Sequence, residues 1–213
     1  MKTSTQPKGG FTLIEVLIVV VTIALVVFVM IPMLTRSTDR RLRVGCINNL
    51  KQIGLAARIW SNDNNDEFPW VSTNGISSRA FANTPRVFQH FVVMSNELNT
   101  PKVLVCPQDS TRTRATGFTN LSNANLSYFI GLEANEADPP RLLSGDRTIT
   151  GGIFTNGFLR LLKTNSPAGW TKELHDYGGN IGLSDGSAFQ MTAQELQQQL
   201  RKNTLPITRL AIP

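Results

Sequence analysis

Glu15 is the one charged side chain between Gly9 and Leu34, inside the stretch "GGFTLIEVLIVVVTIALVVFVMIPML". A carboxylate in hydrocarbon is costly unless a cation neutralises it, so this residue calls for a positive partner. The remaining candidates are few. Cys46 and Cys106 are the only cysteines and His90 and His175 the only histidines, with no Cys-x-x-Cys, so a zinc site of the usual ligand sets is not expected. The two thiols are either buried separately or bridged. His175 is followed, after nine residues, by Asp185-Gly186. Taking His175 as a base and Asp185 as its orienter requires a nucleophile, and nothing in the sequence singles one out, so an enzyme is not expected. Asp146, Asp176 and Asp185 offer hard oxygen ligands for calcium, although an Asp-Gly turn accounts for Asp185 by itself. Asp63, Asn65 and Glu67 are spaced like a calcium loop but lack its central glycine and terminal glutamate, which points to a solvated loop.

The elements that carry these residues start with the apolar run. From Val16 to Leu34 nineteen residues pass without a charge. As a helix they extend roughly 28 Å, the thickness of a bilayer's hydrocarbon core. A cleaved secretory signal has a shorter apolar core and a small-x-small site, and "TRSTDRRLR" after Leu34 offers none. Pro32 predicts a kink near the distal end. Lys2 and Lys8 precede the run while Arg36, Arg40, Arg41 and Arg43 follow it, so the positive-inside rule alone places the C-terminal part in the cytoplasm.

Beyond it, Leu42, Cys46, Leu50, Ile53, Ala57 and Trp60 recur at three- and four-residue steps, predicting an amphipathic continuation of the helix to about residue 62. The head reads as α+β. Residues 86–97 predict a short helix capped by Asn83 or Thr84, and "KVLVCP" and "LSYFIGL" predict strands, with a loop over 134–140. "NIGLSDGSAFQM" predicts a hairpin turning at Asp185-Gly186, with both residues at positive φ. Thr192 and Glu195 form a capping box opening a helix to about Lys202. With 213 residues, 41% hydrophobic and 17% charged, the chain holds one modest core. The net charge of +6 is dispersed, so charge alone does not point to nucleic acid.

"KGGFTLIEVLIVV" resembles the leader of type IV pilins and type II secretion pseudopilins, and "CINNLKQIGLA" and His-x9-Asp-Gly resemble segments of large prepilin-type protein sets. The resemblance is strong over the N-terminal third, moderate in the tail and poor between. It implies a leader over 1–10, cut by a prepilin peptidase between Gly10 and Phe11 with methylation of Phe11, a transmembrane and filament-core helix over 11–34, and a head over 35–213. Glu15 then becomes the fifth residue of the mature chain and its assembly contact, and Pro32 falls where these pilins commonly carry a proline. The implied fold is pilin-like, a long helix packed on a small antiparallel sheet. The implied location is the bacterial inner membrane, single-pass, with the leader cytoplasmic and the head periplasmic, and with the filament in the periplasm or outside the cell. This overrides the charge asymmetry. The implied partners are the peptidase, other pilin or pseudopilin subunits, the assembly platform and the bilayer. An extracytoplasmic head also favours a Cys46–Cys106 disulfide, and pseudopilins hold a calcium ion in a C-terminal loop. A second reading is an anchored minor pilin that captures DNA or secreted substrate, which needs Arg112, Arg114, Arg141 and Arg147 to cluster. A third is an enzyme on an uncleaved anchor.

Overall fold

A computed structural model of the chain describes residues 10, 12–73, 75–155, 158–163 and 166–213, with the backbone alone over 32–39. The leader over 1–9 and Phe11 thus lie outside the described residues. The chain forms two compact units, Met1–Arg41 and Leu42–Pro213. Helix α1 (Leu13–Asn62) contributes to both and ends where the apolar periodicity predicts.

In the first unit, Leu13–Ile31 has a mean hydropathy of 3.2 and none of it is buried, so it is long and apolar enough to cross a membrane. Its β-branched residues are poor helix formers in water, but in lipid the helix is how the backbone satisfies its own polar groups.

The second unit is α+β, and its sheet is larger than the sequence predicts. Strands β1 (Tyr128–Gly131), β2 (Leu142–Asp146), β4 (Ile153–Thr155), β5 (Phe158–Leu162), β7 (Gly179–Leu183), β8 (Ala188–Met191) and β9 (Ile207–Ala211) form one sheet in the order β4-β5-β9-β1-β2-β7-β8. Every pairing in it is antiparallel. A two-stranded sheet joins β3 (Ile149–Thr150) to β6 (Gly169–Trp170).

Alternation along β1 sends neighbouring side chains into two cores. Tyr128 and Ile130 pack in a cluster with Cys46, Leu50, Ile53, Ala57 and Trp60 of α1 and with Phe91 and Leu104. Phe129 packs in the other, with Leu142, Ile181, Leu210, Trp170 and the Leu196 and Leu200 side chains of helix α5 (Ala193–Lys202). The Thr192–Glu195 capping box opens α5 as predicted.

Three local expectations are corrected. Residues 86–97 divide into two short helices, α2 (Phe88–Val92) and α3 (Ser95–Leu98), and the residue capping α2 is Val87, without a side-chain bond. "KVLVCP" is no strand. Residues Pro101–Leu104 form a 3-10 turn, because Pro101 supplies the fixed φ of its first position and Thr100 accepts the Lys102 N–H. In the β7–β8 hairpin only Gly186 has positive φ, at 83°, and its N–H bonds the Leu183 carbonyl. That is a type I turn followed by a left-handed glycine rather than a type I′ pair, since the Leu183 N–H still bonds the Ser187 carbonyl and three residues, Ser184, Asp185 and Gly186, lie between them instead of two.

Candidate functional site

His175 ends α4 (Lys172–His175), whose N-cap Thr171 accepts the Glu173 N–H. Asp176 and Tyr177 follow at φ 50° and 63°, a tight left-handed reversal that leads into β7. The reversal seats the imidazole against the Cys46–Cys106 disulfide, which closes a span of 60 residues between α1 and the residue two past the 3-10 turn. His175 Nε2 lies 3.7 Å from Cys106 Sγ and 3.3 Å from Asp146 Oδ2 at the end of β2. Its Nδ1 meets Gln108 Oε1 at 2.8 Å, and Asn180 Nδ2 donates to Nε2 at 2.9 Å and to Asp146 Oδ2 at 3.0 Å. The Asn180 backbone N–H donates to the same Asp146 oxygen at 2.6 Å. All of Cys46, Cys106, His175, Asp146 and Asn180 are buried.

Burial sets the protonation. It pushes His175 down to about 4, with the Arg43 cation acting in the same direction. It pushes Asp146 up to about 7, against the opposing bonds from Asn180. Both groups are driven toward their neutral forms because charge is costly where water is excluded. With both sulfurs in the bridge, the cluster holds no free nucleophile.

The same motif is docked on α1 at its other end. A Cβ on Gly54 would come within 3.3 Å of the Gly186 Cα, so helix and turn meet backbone to backbone, and Arg58 Nη1 donates to the Asp185 carbonyl at 3.1 Å. Arg43 Nη2 donates to the His175 carbonyl at 3.1 Å. His175 and Asp185-Gly186 therefore bracket one side of the helix. The Asp185 carboxylate bonds Ser187 N and Oγ, an Asx turn well away from the imidazole's environment. The neighbour of His175 is Asp146, and Asp185 is not its orienter.

The three carboxylates offered for calcium do not converge. Asp146 is sealed under Asn180, Asp176 is an exposed helix C-cap, and Asp185 closes the hairpin. Among the described residues the one group of three potential ligands within 4.8 Å of one another is Cys46, Cys106 and His175. Three of the four arginines are engaged within the fold. Arg112 donates to the Asn123 and Pro213 carbonyls, and Arg141 to Asp138 and the Glu133 carbonyl. Arg147 bridges Asp109, at 3.0 Å, and Glu173. Burial alone would raise the Asp109 carboxyl, but the bonds from Arg147, Thr111 and Ser127 hold it below the usual carboxylate range. Arg114 is exposed.

In the first unit Gly10 is exposed, and the Glu15 Oε2 accepts both the backbone N–H and the hydroxyl of Thr12 at 2.8 Å. Glu15 thus has a partner in its own chain, a capping box the sequence spells as Thr12-x-x-Glu15 but which its apolar setting obscures. Gln108, Asn180 and Arg43 were missed as well, and no sequence signal marks them.

Comparison of the chain with family models, with curated proteins and with solved structures gives no match.

Proposed function

We propose that the chain is a pilin-like filament subunit, of a type II secretion pseudopilus or a type IV pilus-like fibre, cut between Gly10 and Phe11 by a prepilin peptidase. The observation that carries the reading is "KGGFTLIEV" running directly into an exposed apolar helix over Leu13–Ile31. Support also comes from the buried Cys46–Cys106 bridge, which suits an oxidising compartment, and from the α+β head. An apolar helix with no core of its own is stable in lipid or against copies of itself, and both states belong to such a subunit's life cycle.

Cleavage gives Glu15 a second kind of partner. The new ammonium on Phe11 would stand four residues before the carboxylate, a spacing that brings the two together on a helix, and the ammonium of a neighbouring subunit serves equally well. In hydrocarbon that pairing is strongly favoured over two isolated charges, so it fixes the register of one subunit against the next.

Mass spectrometry of the protein from cells with active prepilin peptidase tests this directly. The expected species begins at methylated Phe11. A mature chain that keeps residues 1–10 would remove the reading and leave a permanent membrane anchor in its place.

A further inference from the structure

We propose that, once the Cys46–Cys106 bridge is reduced, Cys46, Cys106, His175 and Asp146 form a four-ligand zinc site. Two of its edges already fit. A tetrahedral zinc with bonds of about 2.3 Å to sulfur and about 2.0 Å to nitrogen or oxygen has a sulfur–nitrogen edge of about 3.5 Å and a nitrogen–oxygen edge of about 3.3 Å. The corresponding separations are 3.7 Å from Cys106 Sγ to His175 Nε2 and 3.3 Å from Asp146 Oδ2 to His175 Nε2. Cys46 Sγ, Cys106 Sγ and His175 Nε2 lie within 4.8 Å of one another, while Asp146 stands outside that group and reaches the sulfurs only as they part on reduction. The Cα atoms of the two cysteines are 5.0 Å apart, so side-chain rotation alone carries the sulfurs to the sulfur–sulfur edge of about 3.8 Å that the same bond lengths require.

The surroundings are those of a ligand set. Gln108 Oε1 at 2.8 Å takes the Nδ1 proton, which leaves the Nε2 lone pair facing the cluster, the arrangement that fixes a metal-binding histidine. The Asn180 N–H anchors the Asp146 carboxylate, while Asp146 Oδ1 and Asn180 Oδ1 are buried without a partner. In the bridged chain, Nε2 and Oδ2 converge on a single electropositive group, the Asn180 amide. A Lewis acid satisfies the same two lone pairs. Two thiolates and a carboxylate around Zn²⁺ leave one negative charge, and the Arg43 guanidinium, bonded to the His175 carbonyl, supplies the opposing positive one. Sulfur and imidazole donors favour zinc over a hard cation such as calcium.

The step balances with a dithiol as reductant. The dithiol passes two electrons and two protons to the cysteine sulfurs and itself closes to a disulfide. Zinc then binds both sulfurs as thiolates and Asp146 as carboxylate, releasing to solvent the two thiol protons and the carboxyl proton that Asp146 holds in its neutral form.

The test uses the full chain in detergent, reduced, stripped of metal and titrated with Co²⁺ without oxygen. One cobalt per chain is expected, with a thiolate-to-cobalt charge-transfer band and tetrahedral d–d bands that Zn²⁺ abolishes, and none of these in the bridged chain. His175→Ala should weaken binding at least tenfold. Gln108→Ala, which leaves every ligand in place, should weaken it about 10- to 100-fold, with folding checked by circular dichroism. Should His175→Ala not fold, Gln108→Ala decides alone. A reduced chain without the charge-transfer band, or cobalt affinity unchanged by these substitutions, overturns the site.

Discussion

Cys106 Sγ and His175 Nε2 lie 3.7 Å apart although 69 residues separate them. The contact joins the bridge that ties α1 to the head with the tail motif that packs beside it. The disulfide, Arg43 and His175 hold one end of the β7 segment to the helix, and Gly54, Arg58 and Gly186 hold the other. His-x9-Asp-Gly thus acts as a two-point clamp, with β7 as the spacer between its points.

Breaking the bridge is expected to destabilise the head by roughly 2 to 4 kcal/mol, the entropy returned to an unfolded chain freed of a closed loop of this size. Denaturant unfolding of the Cys46→Ser, Cys106→Ser double variant against the parent gives the value. An unchanged midpoint would mean that helix packing alone holds α1 to the sheet.

Gly179→Ala is expected to cost roughly 1 to 3 kcal/mol or more through overpacking. A Cβ there would lie 1.9 Å from Trp170 Nε1 and 2.1 Å from Cε2, and both residues are buried. Because Gly179 pairs with Met191 and precedes Asn180, the strand must shift at the point where its amide holds Asp146. Thermal unfolding and the tryptophan fluorescence of the variant report the loss.

Local rules made part of this fold legible. The end of α1, the capping box of α5 and the position of the β7–β8 hairpin follow from periodicity and from residues three apart. Elements set by tertiary pairing were not. β2 reads "LLSGD" and β9 reads "ITRLA", short segments whose strand identity comes from neighbours at distant positions in the chain. The cluster around His175 was illegible for the same reason. Its histidine was visible as a motif, but its true carboxylate neighbour, Asp146, reaches it through the β2–β7 register, which no spacing in the sequence records.

Acid stability is expected to depend on His90. The ring is fully buried, Nδ1 meets Ser78 Oγ at 2.8 Å, Trp70 packs edge-on, and burial pushes the group down to about 4. An unfolded histidine titrates near 6.5. Between the two values the unfolded chain holds one more proton, so this contribution rises with pH across that window and is lost as pH falls through it, by up to about 1.4 kcal/mol per pH unit. His90→Gln keeps a polar partner for Ser78 and removes the titration. The difference between parent and variant unfolding free energies, measured from pH 4 to 7, should have a slope of one proton; parallel curves would show that the ring takes up its proton without unfolding.

The proposed function gives Glu15 a second role beside its cap, and one pair of substitutions separates the two. Its carboxylate caps the helix through Thr12, and under the proposed cleavage after Gly10 it would face a new ammonium. Glu15→Gln keeps an acceptor for the cap and removes the charge, whereas Glu15→Ala removes both, with a capping loss of about 1 kcal/mol. If charge pairing sets the register of subunits, both variants are processed to Phe11 yet enter filaments poorly, and to a similar extent. If capping is what matters, the glutamine variant assembles like the parent and only alanine fails. Immunoblots of sheared filaments against total processed subunit distinguish the two, and normal assembly of the glutamine variant would remove the electrostatic role assigned to Glu15.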